Sequence, residues 1–129
     1  MKTKLLFLIT FFLLLVSCAT YRANTGPGAD ERKTQSRTFI GSYDQVYKTV
    51  VQTAANQNWE ITHTDKDAGL VQAKTPASLQ AWEDEVGITI NEIDGGVRVQ
   101  VKSGLANAPN VEIVRKYLDA ISSQIPEKQ

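Results

Sequence analysis

The chain has 129 residues with 14 basic and 14 acidic side chains, one histidine and one cysteine, which fits one domain with no global charge bias. Nucleic acid is disfavoured as a partner, because nothing here draws a polyanion from a distance. A lone cysteine excludes an internal disulfide and a cysteine-based metal cluster, so stability has to come from an ordinary core.

Residues 1–17 read as a secretory signal peptide that is removed: Lys2 and Lys4 are basic, Leu5 to Val16 is apolar apart from Thr10, and small residues follow. The apolar run is twelve residues long, whereas a spanning helix needs about 20. Removing it takes Lys2 and Lys4 and leaves two fewer basic than acidic side chains. Leu15-Val16-Ser17-Cys18 resembles a bacterial lipobox, with leucine three places before the cysteine and a small residue just before it. The resemblance implies recognition of Leu15, Val16 and Ser17 by a lipoprotein signal peptidase, cleavage before Cys18, and several acyl chains on that residue. Two or more chains give stable membrane anchoring. Ala19 follows where Asp resembles an inner-membrane retention signal in enteric bacteria. The expected location is therefore lipid-anchored in the cell membrane, on the outer membrane facing the periplasm if the organism has two.

Residues 18–37 are the lipidated cysteine and a flexible tether, since Thr20, Asn24, Gly26, Pro27, Gly28, Asp30, Glu31 and their neighbours leave almost nothing to bury. The nineteen residues after Cys18 would have a root-mean-square reach of roughly 25 Å. A single α+β domain is expected over 38–126, with 127–129 as a tail. Thr38-Phe39-Ile40 is a short strand, with a start as early as Ser36 left open, and Gly41 breaks it. Ser42-Tyr43-Asp44-Gln45 forms a capping box, and Tyr43, Val46, Tyr47, Val50 and Ala54 share one face of a helix running to about Gln57. Asn58 suits a left-handed terminating position.

The period then changes to two. Trp59, Ile61 and His63 alternate with polar residues, Asp65 to Gly69 turns the chain, and Leu70 to Thr75 returns with Val71 and Ala73 inward. Trp82, Val86, Ile88 and Ile90 share a parity in a long strand, Asp94-Gly95-Gly96 reverses it, and Val97, Val99 and Val101 face the core. Asn110 is the expected N-cap of a last helix whose stripe is Val114, Tyr117, Leu118, Ile121 and Ile125, ended by Pro126. The order β-α-β-β-β-β-α gives an antiparallel sheet with both helices on its one apolar face. This order, with Tyr43-x-x-Val46-Tyr47, Trp59-x-Ile61 and Asp67-x-Gly69, resembles the helix-grip domains of BamC-type envelope lipoproteins, over roughly Thr38 to Ile125.

No catalytic arrangement emerges, so the chain is read as a non-enzyme. His63 shares parity with Trp59 and Ile61, which reads as a buried or sheet-end histidine rather than a general base. Glu83, Asp84 and Glu85 point to alternating faces and read as a solvated strand entrance. Asp65, Asp67 and Gly69 begin like a calcium loop, but Leu70 and Pro76 stand where glycine and a bidentate acid are needed, so no metal is expected. No cofactor is expected beyond the covalent lipid on Cys18.

Binding remains. Leu79 and Trp82, on the connection between the middle strands, are the candidate partner-binding pair for an envelope protein, although parity with Val86 favours Trp82 as a cap on the core. The expected function is a non-enzymatic interaction or structural accessory module. The alternative is a binder of a small apolar or lipid-like ligand between the sheet and the last helix.

Overall fold

The computed structural model describes residues 33–78, 81–105 and 107–129. The lipobox, most of the tether and Leu79 lie outside them. The described chain is α+β: β1 (Thr34–Phe39), α1 (Tyr43–Asn56), β2 (Glu60–Asp65), β3 (Leu70–Thr75), β4 (Asp84–Ile93), β5 (Gly96–Ser103) and α2 (Ala108–Ser122). The five strands form one antiparallel sheet in the order β1-β5-β4-β3-β2, so the expected element order holds throughout.

Period-two alternation explains the central strands. Val71 and Ala73 on β3, Val86, Ile88 and Ile90 on β4, and Val97, Val99 and Val101 on β5 are all buried against the helices. The intervening Gln72, Glu85, Arg98, Gln100 and Lys102 line an open, polar face. Asp94 and Gly95 form the turn between β4 and β5, where Gly95 supplies a φ of 78°.

Both helices obey the 3.6-residue period. On α1, Val46, Val50 and Ala54 are buried, Tyr43 and Tyr47 pack at the rim, and the Ser42 hydroxyl accepts from Gln45 N–H at 3.2 Å. Asn58 ends the turn with φ 60°, as expected. On α2, Val114, Tyr117, Leu118 and Ile121 are buried, and Ile125 joins them just beyond the helix end. Between sheet and α2 the space is filled by these side chains. Tyr117 is completely buried, stacks on Trp59 with ring centroids 4.5 Å apart, and donates its hydroxyl to the Val50 carbonyl at 2.8 Å, tying α2 to α1.

Several boundaries differ from expectation. The first strand begins at Thr34, not at the domain boundary placed at Thr38. Its first two inward positions are polar, ahead of the buried Phe39: Gln35 Nε2 donates to the Val111 carbonyl at 2.9 Å, and Arg37 reaches Asp119 at 2.6 Å and Ser122 at 3.0 Å. The residues assigned to a tail are bound to β1. Glu127 bridges to Phe39 and Lys128 N–H donates to the Thr38 carbonyl at 2.7 Å, covering part of an otherwise open sheet edge. The N-cap of α2 is Asn107, which accepts from Asn110 N–H at 3.0 Å. Asn110 is instead a buried residue in the first turn, where Pro109 fits because its missing N–H would have no helical partner.

Candidate functional site

The registers collect one set of element ends together. Thr34 opposes Lys102, Val86 opposes Ser103, Thr75 opposes Asp84 and Glu60 opposes Lys74. One end of the sheet therefore holds the starts of β1, β2 and β4 and the ends of β3 and β5. The end of α1 also lies there, because Trp59 N–H donates to the Ala54 carbonyl at 3.0 Å, as does the first turn of α2. The Pro76–Glu83 connection crosses this end and carries Trp82.

Trp82 does not cap the core. It is 77% exposed, more than any other large apolar side chain among the described residues, while Ala81 beside it is buried. The parity with Val86 fails because β4 begins only at Asp84, so no strand extends back to position 82. The backbone around the exposed indole is nevertheless fixed. Ser78 N–H donates to the Ala81 carbonyl at 2.8 Å and Ala81 N–H donates to Ser78 Oγ at 3.0 Å. Asn110 Nδ2 donates to the Trp82 carbonyl at 3.0 Å from α2. Asp84 N–H donates to Thr75 Oγ1 at 3.0 Å.

Asp84 is buried at 4% exposure, which corrects its reading as part of a solvated trio; Glu83 and Glu85 are exposed. Ser103 Oγ donates to the Asp84 carboxylate and accepts from Leu105 N–H at 3.2 Å. Thr75, Asp84, Ser103 and Asn110 thus form a buried polar cluster from β3, β4, β5 and α2 at the root of the Trp82 connection. Such groups are costly inside a protein unless hydrogen-bonded, and here they hold the loop backbone. Asn110 Oδ1 is buried with no donor in reach among the described residues. The same end of the domain carries an open groove of about 340 Å³ bounded by Gln57, Trp59, Pro76, Ser78, Ile113 and Lys116.

His63 is exposed, not buried. A bulge shifts the register between Ile61 and His63, so Ile61 opposes Ala73 while His63 opposes Gln72 on the open face. The extra residue reverses the parity that linked His63 to Trp59. Asp65 serves its turn, accepting from Ala68 N–H at 2.9 Å, and Gly69 takes φ 68°. Among the described residues, no group of three or more His, Cys, Asp or Glu side chains is placed to hold a metal ion. None of the helices described is long and apolar enough to cross a membrane.

Electrostatics are local. Burial raises the Tyr117 hydroxyl well above the ordinary tyrosine range. Burial, then the neighbouring Tyr47, raises Tyr43, whose hydroxyl donates to the Lys66 carbonyl at 2.6 Å at the opposite end of the sheet. Glu112 is held below the usual carboxylate range by its hydrogen bond from Arg115.

No family model and no curated protein matches the chain. Among solved structures, the crystal structure of Ara h 8.0201 is similar, with a TM-score of 0.41 and 10% identity, covering 70% of this chain and 94% of that one.

Proposed function

We propose that this protein is a lipid-anchored bacterial envelope lipoprotein whose α+β domain is a non-enzymatic interaction or structural accessory module, with the Trp82 end as its contact surface. The observation that carries the reading is the exposed Trp82 indole on a backbone fixed by Ser78, Thr75 and Asn110. An exposed aromatic on a fixed backbone has only its own two side-chain torsions to immobilise on contact, and large aromatic side chains are enriched among the residues that dominate binding energy at interfaces. Leu15-Val16-Ser17-Cys18 supports the anchor by its resemblance to a lipobox. The alternative, an apolar ligand between sheet and α2, is weakened by the side chains that fill that space.

The test is a photocrosslinking amino acid at position 82, activated in intact cells with the chain's own signal peptide retained. A discrete adduct with an envelope component, lipid or protein, is expected. Labelling at 82 no stronger than at Gln100, on the open sheet face, would contradict the proposed contact surface.

A further inference from the structure

We infer that the surface met by Trp82 is the lipid bilayer itself: the domain rests end-on, with the indole at the membrane interface. This rests on the lipid-anchor reading and adds an orientation to it. The first observation is where the chain joins the domain. β1 begins at Thr34, opposite Lys102, at the same sheet end that carries the Pro76–Glu83 connection. Cys18 is sixteen residues before Thr34, which for a flexible chain of that length gives a root-mean-square span of about 22 Å. The Asp94–Gly95 turn lies at the far end of β4, a ten-residue strand about 33 Å long. An anchored Cys18 therefore brings the Trp82 end nearest to the lipid.

The second observation is the chemistry of that end. Tryptophan favours the membrane–water interface because its ring is apolar while its N–H still needs a polar partner. Charges there are balanced, with Lys33, Lys74, Lys102 and Lys116 against Glu60, Glu83, Glu85 and the buried Asp84, while Glu112 pairs with Arg115 at 2.5 Å. Such a surface suits a zwitterionic headgroup layer and gives no strong preference for anionic lipid. In the groove at this end, Pro76 and Ile113 offer apolar surface while the Lys116 ammonium is suited to a headgroup phosphate. Among the described residues, the other exposed large apolar side chains, Ile40 and Leu70, lie at the opposite end and lack a polar handle. A protein partner would need about 800 Å² on this side, inserted between the domain and the bilayer to which it is tied.

The experiment uses the full chain, expressed with its signal peptide, checked by intact mass and reconstituted into phosphatidylcholine vesicles with or without brominated acyl chains. Emission from Trp59 and Trp82 is expected to fall by roughly a third or more in brominated vesicles, and by under about a tenth in Trp82→Phe. Replacing a fifth of the lipid by an anionic one, or adding 0.5 M salt, is expected to change the quenching by less than about a tenth. Trp82 is exposed, so Trp82→Phe leaves the fold intact, and the emission of buried Trp59 verifies this in the same sample. Acylated protein with no bromine quenching overturns the membrane-facing assignment alone, as does a crosslink from position 82 to protein and none to lipid. Protein without acyl mass overturns the anchor and the orientation together.

Discussion

The two tryptophans lie near one end of the same domain and should respond to truncation in opposite ways. Trp59 is 5% exposed, stacks on Tyr117 and closes the space between β2 and α2; Trp82 contributes a carbonyl to Asn110, while its indole is open to solvent. Trp59→Ala removes a fully packed ring and leaves Tyr117 without its stacking partner, at a cost of about 3–5 kcal/mol by comparison with other buried aromatic truncations. Domains of this size are typically stable by only about 5–15 kcal/mol, so a large share would be lost. The melting temperature should fall by at least about 12 °C, at roughly 4 °C or more per kcal/mol. Trp82→Ala keeps the carbonyl and removes only exposed surface, so its effect should stay within about 0.5 kcal/mol. Urea unfolding of the two variants, with equal m-values, measures both. A loss above about 2 kcal/mol for Trp82→Ala would show that its ring is packed and would refute the exposed surface on which the functional reading depends.

Gly69→Ala should be severe, because the residue holds φ 68° and an added Cβ would lie 2.1 Å from the Ile90 carbonyl oxygen, whereas Gly87, with nothing within 4 Å, should tolerate alanine. The expected values are a loss of at least about 2 kcal/mol for Gly69→Ala and a gain of up to about 0.5 kcal/mol for Gly87→Ala, read by the same urea titration. Tyr117 makes stability fall at alkaline pH. Its folded value is raised above the unfolded value of 10.0, so above pH 10 the unfolded chain releases a proton that the folded one retains. The slope is about −1.4 kcal/mol per pH unit. Tyr117→Phe should remove that slope while costing about 1 kcal/mol at neutral pH, and an unchanged alkaline slope in this variant would contradict the assignment.

Regular alternation made the sheet legible: Val71 to Ala73, Val86 to Ile90 and Val97 to Val101 each show period two, and Asp94-Gly95 marks the reversal between two of these runs. The first helix was legible for the same reason, with Ser42 and Asn58 as local signals at its ends. Failures occurred where non-local partners or a single extra residue decide the outcome. The bulge at Thr62 reverses the facing of His63, and no side-chain pattern announces it. Trp82 kept parity with Val86 across residues that are not strand. Asp84 looked solvated beside Glu83 and Glu85, but its partner Ser103 is about twenty residues away. The start of β1 was missed because Gln35 and Arg37 face inward through hydrogen bonds to α2 instead of by apolar burial.

The central claim is that Cys18 carries this domain to a membrane, and the most direct measurement is the intact mass and first residue of the mature protein recovered from the membrane fraction, beside Cys18→Ser. The expected result is a chain beginning at Cys18 and bearing covalent acyl mass, with Cys18→Ser left uncleaved or released in soluble form. A mature protein without acyl mass, or a Cys18→Ser protein that is cleaved normally and stays on the membrane, would contradict it.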